Sequence, residues 1–241
     1  MFNKKHTAII LASLLAISVL SSCKGNSGLI KQTQKVKDIT VAESYDDLFR
    51  QSAEIFLEPK TVVLTVNGRE ITDSDIKTKF LFTNNRAKNG LAEIDAESAD
   101  EEQKATEREN YKYITKDEAI KLCIEDKVQL CEAENRGITT SKEDARQTAV
   151  DGYNNTKEFA ESGDSEAVLA MSQVDEYLQI TGQTLDEYFD NSAEAVVDVG
   201  TISRLRAQYI QDLPLEKQPN ANEEYQNFVD ELVKKAKIEW K

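Results

Sequence analysis

The chain has 241 residues, of which 39% are hydrophobic and 31% charged, with a formal net charge of −14. That acidity repels nucleic acid and anionic lipid headgroups, so a basic-patch binding role is excluded as the main activity. Three prolines and nine glycines, against abundant Glu, Ala, Lys and Leu, favour helices.

The N-terminus divides into three parts. Lys4 and Lys5 give a positive start, Thr7 to Leu20 is an uncharged apolar run, and Leu20-Ser21-Ser22-Cys23 closes it with small residues before a cysteine. This is the layout of a secretory signal over residues 1–22, too short for a stable membrane span. The tetrapeptide resembles the bacterial lipobox, which implies a diacylglycerol on the Cys23 thiol and cleavage before it. The expectation is a lipoprotein anchored to the outer face of the cell membrane, or facing the periplasm in a two-membrane bacterium; stable anchoring takes more than one acyl chain. The only histidine, His6, leaves with the signal. The mature chain then lacks His-based triads, His acid–base chemistry and His metal ligands, and no cofactor or metal is expected.

Residues 23–60 read as a polar stalk carrying a short amphipathic helix over 43–57, on the spacing of Tyr45, Leu48, Phe49, Ala53 and Phe56. Thr61–Val66 is a β-branched run followed by Asn67-Gly68, a hairpin turn signal. A short return leads to Thr72-Asp-Ser-Asp75, which resembles a capping box, and a helix over 73–86. Residues 84–110 are rich in Asn, Glu, Asp and Lys and read as a solvated helical arm or a loop. Thr115-Lys-Asp-Glu118 caps the clearest helix, with Ile120, Ile124, Val128 and Cys131 on one face, ended by Gly137. On that helix Cys123 and Cys131 lie about 12 Å apart at 1.5 Å per residue, beyond disulfide reach, and read as small buried apolar side chains.

Further helices are predicted over 142–160, 165–180, 185–211 and 222–235. They are punctuated by Gly163, by Gly182, and by a linker with Pro214 and Pro219. Ala236–Trp240 alternates like a strand. A lone strand leaves its backbone unpaired, so pairing Val62–Val66 with Ala236–Trp240 would join the ends of a mainly helical body.

The segments VVLTVNGREITDSDI, DEAIKLCIEDKVQLCEAENRGITTSKEDA, TGQTLDEYF and LVKKAKIEW together resemble the SurA/PrsA class of extracytoplasmic chaperones. The resemblance implies a mainly α, SurA/trigger-factor-like helical chaperone domain over 61–241, with a small two- or three-stranded sheet joining its ends. The parvulin prolyl-isomerase domain of that class, with its R-H-I-L start and active-site histidines, has no counterpart here. The implied activity is therefore a holdase for unfolded or newly exported polypeptides, without isomerase activity or any other enzymatic step. Phe80, Phe82, Tyr177, Tyr188, Phe189 and Tyr209 are the candidate client-binding aromatics.

A competing reading is a structural or accessory envelope lipoprotein that binds one folded partner through the acidic 90–110 segment. An enzyme built on carboxylates alone finds no carboxylate pair singled out by the pattern. The anchor reading is checked by replacing Cys23 with Ala. The variant is expected in the soluble fraction after cell fractionation, still folded, and retention with the membrane overturns the lipid anchor.

Overall fold

The computed structural model describes residues 39–96 and 100–241. The signal segment 1–22, Cys23 and the stalk up to residue 38 lie outside the described residues. The described chain is mainly helical with one small antiparallel sheet. The described residues form two compact units, one built from those between 39 and 124 together with Ile238–Lys241, the other from Glu125–Lys237.

In the first unit, Ser44 opens helix α1 (Tyr45–Leu57), its hydroxyl accepting from the Asp47 N–H at 3.1 Å. The helix buries Leu48, Phe49, Ala53 and Ile55. Strands β1 (Val62–Val66) and β2 (Arg69–Thr72) follow. Asn67 (φ 50°) and Gly68 (φ 84°) both lie in the left-handed region, which a type I′ hairpin turn requires. Strand β3 (Ile238–Trp240) pairs with the other edge of β1, Leu64 opposite Trp240 and Val66 opposite Ile238, giving the order β2-β1-β3. The expected joining of the two chain ends is therefore present, as a three-stranded sheet. Val63, Leu64, Val66 and Ile71 are all buried, so β1 is covered on both faces.

Helix α2 (Asp73–Ala96) begins with a reciprocal cap. The Thr72 N–H donates to Asp75 Oδ2 at 2.7 Å, and the Asp75 N–H donates to Thr72 Oγ1 at 3.2 Å. Its Lys77 is buried and ion-paired to Glu58 and, at 3.6 Å, to Asp73, which ties the α1–β1 connection to the start of α2. The helix runs ten residues past the end expected from sequence. A short α3 (Glu101–Arg108) follows. The reading of 84–110 as solvated needs correcting, because Asn84, Asn85, Ala87, Gly90 and Ile94 are buried. Asn84 pairs with backbone as another strand would, donating to the Ile114 carbonyl at 3.0 Å and accepting from the Ile114 N–H at 2.7 Å.

Helix α4 (Lys116–Asn135) opens on the Thr115/Glu118 capping box, and the division between the units falls within it. Of its cysteines, Cys123 is buried and Cys131 half-buried, and both are free thiols. In the second unit α5 (Lys142–Glu161), α6 (Ser165–Thr181) and α7 (Leu185–Gln211) pack as a bundle. A 3-10 turn (Gln218–Asn220) leads to α8 (Ala221–Lys235), which lies against α7.

Gly90 gives a sharp test of the α2 packing. A Cβ placed there would lie 2.2 Å from Cε1 of Tyr111. Gly→Ala inside a helix ordinarily gains about 1 kcal/mol, but here overpacking of about 1–3 kcal/mol opposes it. Gly90→Ala is expected to be destabilising in chemical denaturation, and stabilising once Tyr111→Ala has removed the ring.

Candidate functional site

The six candidate aromatics separate into three places. Phe80 (half-buried) and Phe82 (buried) lie on α2 in the first unit. Tyr177 meets Tyr188 edge-on at 5.8 Å, Tyr188 lies 6.0 Å from Phe189, and Phe189 meets Tyr153 at 5.4 Å. These rings enclose Ala149 and Val174 in the core of the α5–α6–α7 bundle, where Tyr188 is 8% and Phe189 6% exposed. Tyr209 is half-buried and stacks on Phe228 at 4.6 Å, beside Tyr225, on the α7–α8 contact.

The large apolar side chains that face solvent in this unit are Leu215, 80% exposed in the linker after α7, and a group at the α5–α6 turn. Phe159 is 44% exposed and Val168 and Leu169 are each 50% exposed. Their exposure follows from the register of the bundle. Helices α5 and α7 run antiparallel, with the Thr140 N–H donating to Thr201 Oγ1 at 3.1 Å, Lys142 beside Glu194 at 3.1 Å, and Arg146 bridging Asp190 and Asp186 at 2.7 and 2.9 Å. Helix α7 starts at Leu185, so it accompanies only the first part of α5. The last part of α5 and the first part of α6 continue as a two-helix arm, about 12 Å long beyond Tyr153 at 1.5 Å per residue.

Phe159 belongs, by period, to the buried face of α5. Ala145, Ala149, Gly152 and Thr156 are buried at steps of four and three, and the next place on that face is 159. The turn after it is a Schellman motif. Gly163 (φ 87°) is the left-handed residue, its N–H donating to the Ala160 carbonyl at 3.0 Å, while the Asp164 N–H donates to the Phe159 carbonyl at 3.1 Å. In that motif an apolar residue after the glycine usually covers the side chain at the position of Phe159. Here that residue is Asp164, whose carboxylate is committed to capping α6, accepting from the Glu166 and Ala167 N–H groups at 3.1 and 3.0 Å. Phe159 is left without its cover.

Phe159, Val168 and Leu169 are not among the six residues expected from sequence to contact a client. The signal available was the in-period Phe followed by Ser-Gly-Asp instead of an apolar closure. Among the described residues no group of three or more His, Cys, Asp or Glu side chains is placed to hold a metal ion, and no helix is long and apolar enough to cross a membrane. No protein-family model matches the chain, and neither curated proteins nor solved structures give a match.

Burial pushes the Tyr188 phenol up to about 12, and it also raises Tyr177 and, together with Asp175, Tyr153. In the unfolded chain a phenol ionises near about 10. The Tyr188 contribution is therefore complete below that pH and lost as pH rises through the folded value. Between about pH 9 and about pH 11 it is expected to remove roughly 1.4 kcal/mol. Urea titrations at both pH values, with and without Tyr188→Phe, measure this, and the substitution should flatten the alkaline loss by that amount.

Proposed function

We propose that the protein is a membrane-tethered extracytoplasmic holdase that binds unfolded or newly exported polypeptides without a chemical step. The observation that carries this reading is the α5–α6 arm, which holds Phe159, Val168 and Leu169 in solvent on a protein of net charge −14. Exposed apolar side chains on a rigid helical hairpin give an unfolded segment something to bury against. The surrounding charge keeps the arm soluble. The lipobox-like segment at Cys23 and the resemblance to SurA/PrsA-type chaperones support the same reading, in which a tethered protein meets clients as they emerge.

The test is suppression of aggregation of a chemically unfolded client by the protein lacking residues 1–22, which retains every described residue. Suppression near stoichiometric amounts is expected. The triple variant Phe159→Ser, Val168→Ser, Leu169→Ser should need on the order of a hundredfold more protein for the same effect. Half-exposed side chains give up about 1 kcal/mol each on contact, and 1.4 kcal/mol is a factor of ten. No suppression at molar excess over client, or full activity in the triple variant, overturns the proposal. Crosslinking in membranes adds a second readout, since many unfolded clients support a holdase and a single stoichiometric partner supports an accessory lipoprotein.

A further inference from the structure

We infer that the tip of the α5–α6 arm selects polypeptide segments whose apolar residues are flanked by lysine or arginine. This rests on the holdase reading and adds a selection rule to it. The chain around the tip carries Glu158, Glu161, Asp164 and Glu166 on the turn side, with Asp175 and Glu176 further along α6, against Lys157 as the sole cation between Asn154 and Glu176. All of these side chains are exposed.

Elsewhere in the unit a subset of the acids is matched by cations, while others, Glu143, Asp151 and Glu223 among them, are not. Arg146 holds Asp186 and Asp190, Lys142 holds Glu194, Lys217 holds Glu224 and Lys234 holds Glu231. Among the described residues Glu158, Glu161 and Glu166 have no such cation. Unmatched carboxylates thus ring the same few residues that leave Phe159, Val168 and Leu169 in solvent. The apolar centre accepts any hydrophobic side chain, and the ring decides what lies on either side of it. A second copy of this arm, or an anionic lipid surface, brings like charge to the ring and is repelled. A segment with basic flanks gains an ion pair at each end while its apolar centre is buried.

The experiment uses two labelled peptides that share one Phe/Leu/Val centre, one flanked by lysines and the other by glutamates. Binding to the protein lacking residues 1–22 is followed by fluorescence anisotropy. The lysine-flanked peptide should bind at least about tenfold more tightly at about 0.1 M salt, and the gap should close at about 0.5 M, where charges are screened within about one ion-pair distance. In Glu158→Lys/Glu161→Lys the gap should shrink to about threefold or less. Lysine suits the C-terminal turn of α5 electrostatically, so the variant is expected to fold, which its far-UV circular dichroism and urea titration check.

Equal binding of the two peptides, a gap that survives the double substitution, or concentration-dependent dimerisation through the tip overturns the selection rule. So does adhesion to anionic vesicles that Phe159→Ser abolishes. If aggregation is still suppressed under any of these results, only the rule falls. If there is neither suppression nor peptide binding, the holdase reading falls with it.

Discussion

Strand β1 needs two neighbours, and the second comes from the far end of the chain. β2 is supplied locally through the Asn67-Gly68 turn, but the other edge of β1 is closed only by Ile238–Trp240. An open edge on a strand as apolar as Val62–Val66 would invite pairing with other chains. The closure makes Glu125–Lys237 a long insertion between two parts of one compact unit. It also makes the β1–β3 contact highly non-local, so it carries the loop-closure cost that slows such pairings during folding.

Within the inserted unit, small residues set the register. Ala145, Ala149 and Ala193 are buried on α5 and α7, and a Cβ at Gly200 would lie 2.8 Å from Thr140 Oγ1. This is a seam at which the two backbones come close. The ion pairs of Lys142 and Arg146 run along that seam, but exposed pairs contribute only about 0–1 kcal/mol each. They report the register more than they hold it. Once the seam places Arg146 beside Asp186 and Asp190, the start of α7 is fixed, and so is the length of α5 and α6 that extends past it.

Most of the elements were legible in the sequence because their ends carry explicit chemistry. Thr115 and Glu118, Thr184 and Glu187, and Gly137, Gly163 and Gly182 mark boundaries that the structure reproduces within about two residues. The 84–110 segment was misread for a physical reason. Its buried face is made of Asn84, Asn85 and Gly90, which look solvent-facing, and their burial depends on partners in another segment. The Ile114 backbone satisfies Asn84, and the Tyr111 ring occupies the space left by Gly90. The arm was equally illegible. Periodicity identifies Phe159 as a residue of the packed face, and it takes both the starting point of α7 relative to α5 and the commitment of Asp164 to the α6 cap to leave it in solvent.

Single exposed apolar side chains are common on protein surfaces, so the weight placed on Phe159 depends on what its exposure costs. Elsewhere in the same unit the chain closes the same motif conventionally. After Gly137, the Ile138 N–H donates to the Ala133 carbonyl at 2.8 Å, and Ala133 is fully buried. At the arm the corresponding residue is Asp164. An apolar residue there would recover about 1 kcal/mol by covering a ring that is already half-buried. It would also remove the cap of α6, at about 1 kcal/mol. The two nearly cancel. The aromatic at the tip is therefore held in solvent at little net cost to stability, and the same aspartate that uncovers it also fixes the turn that positions it.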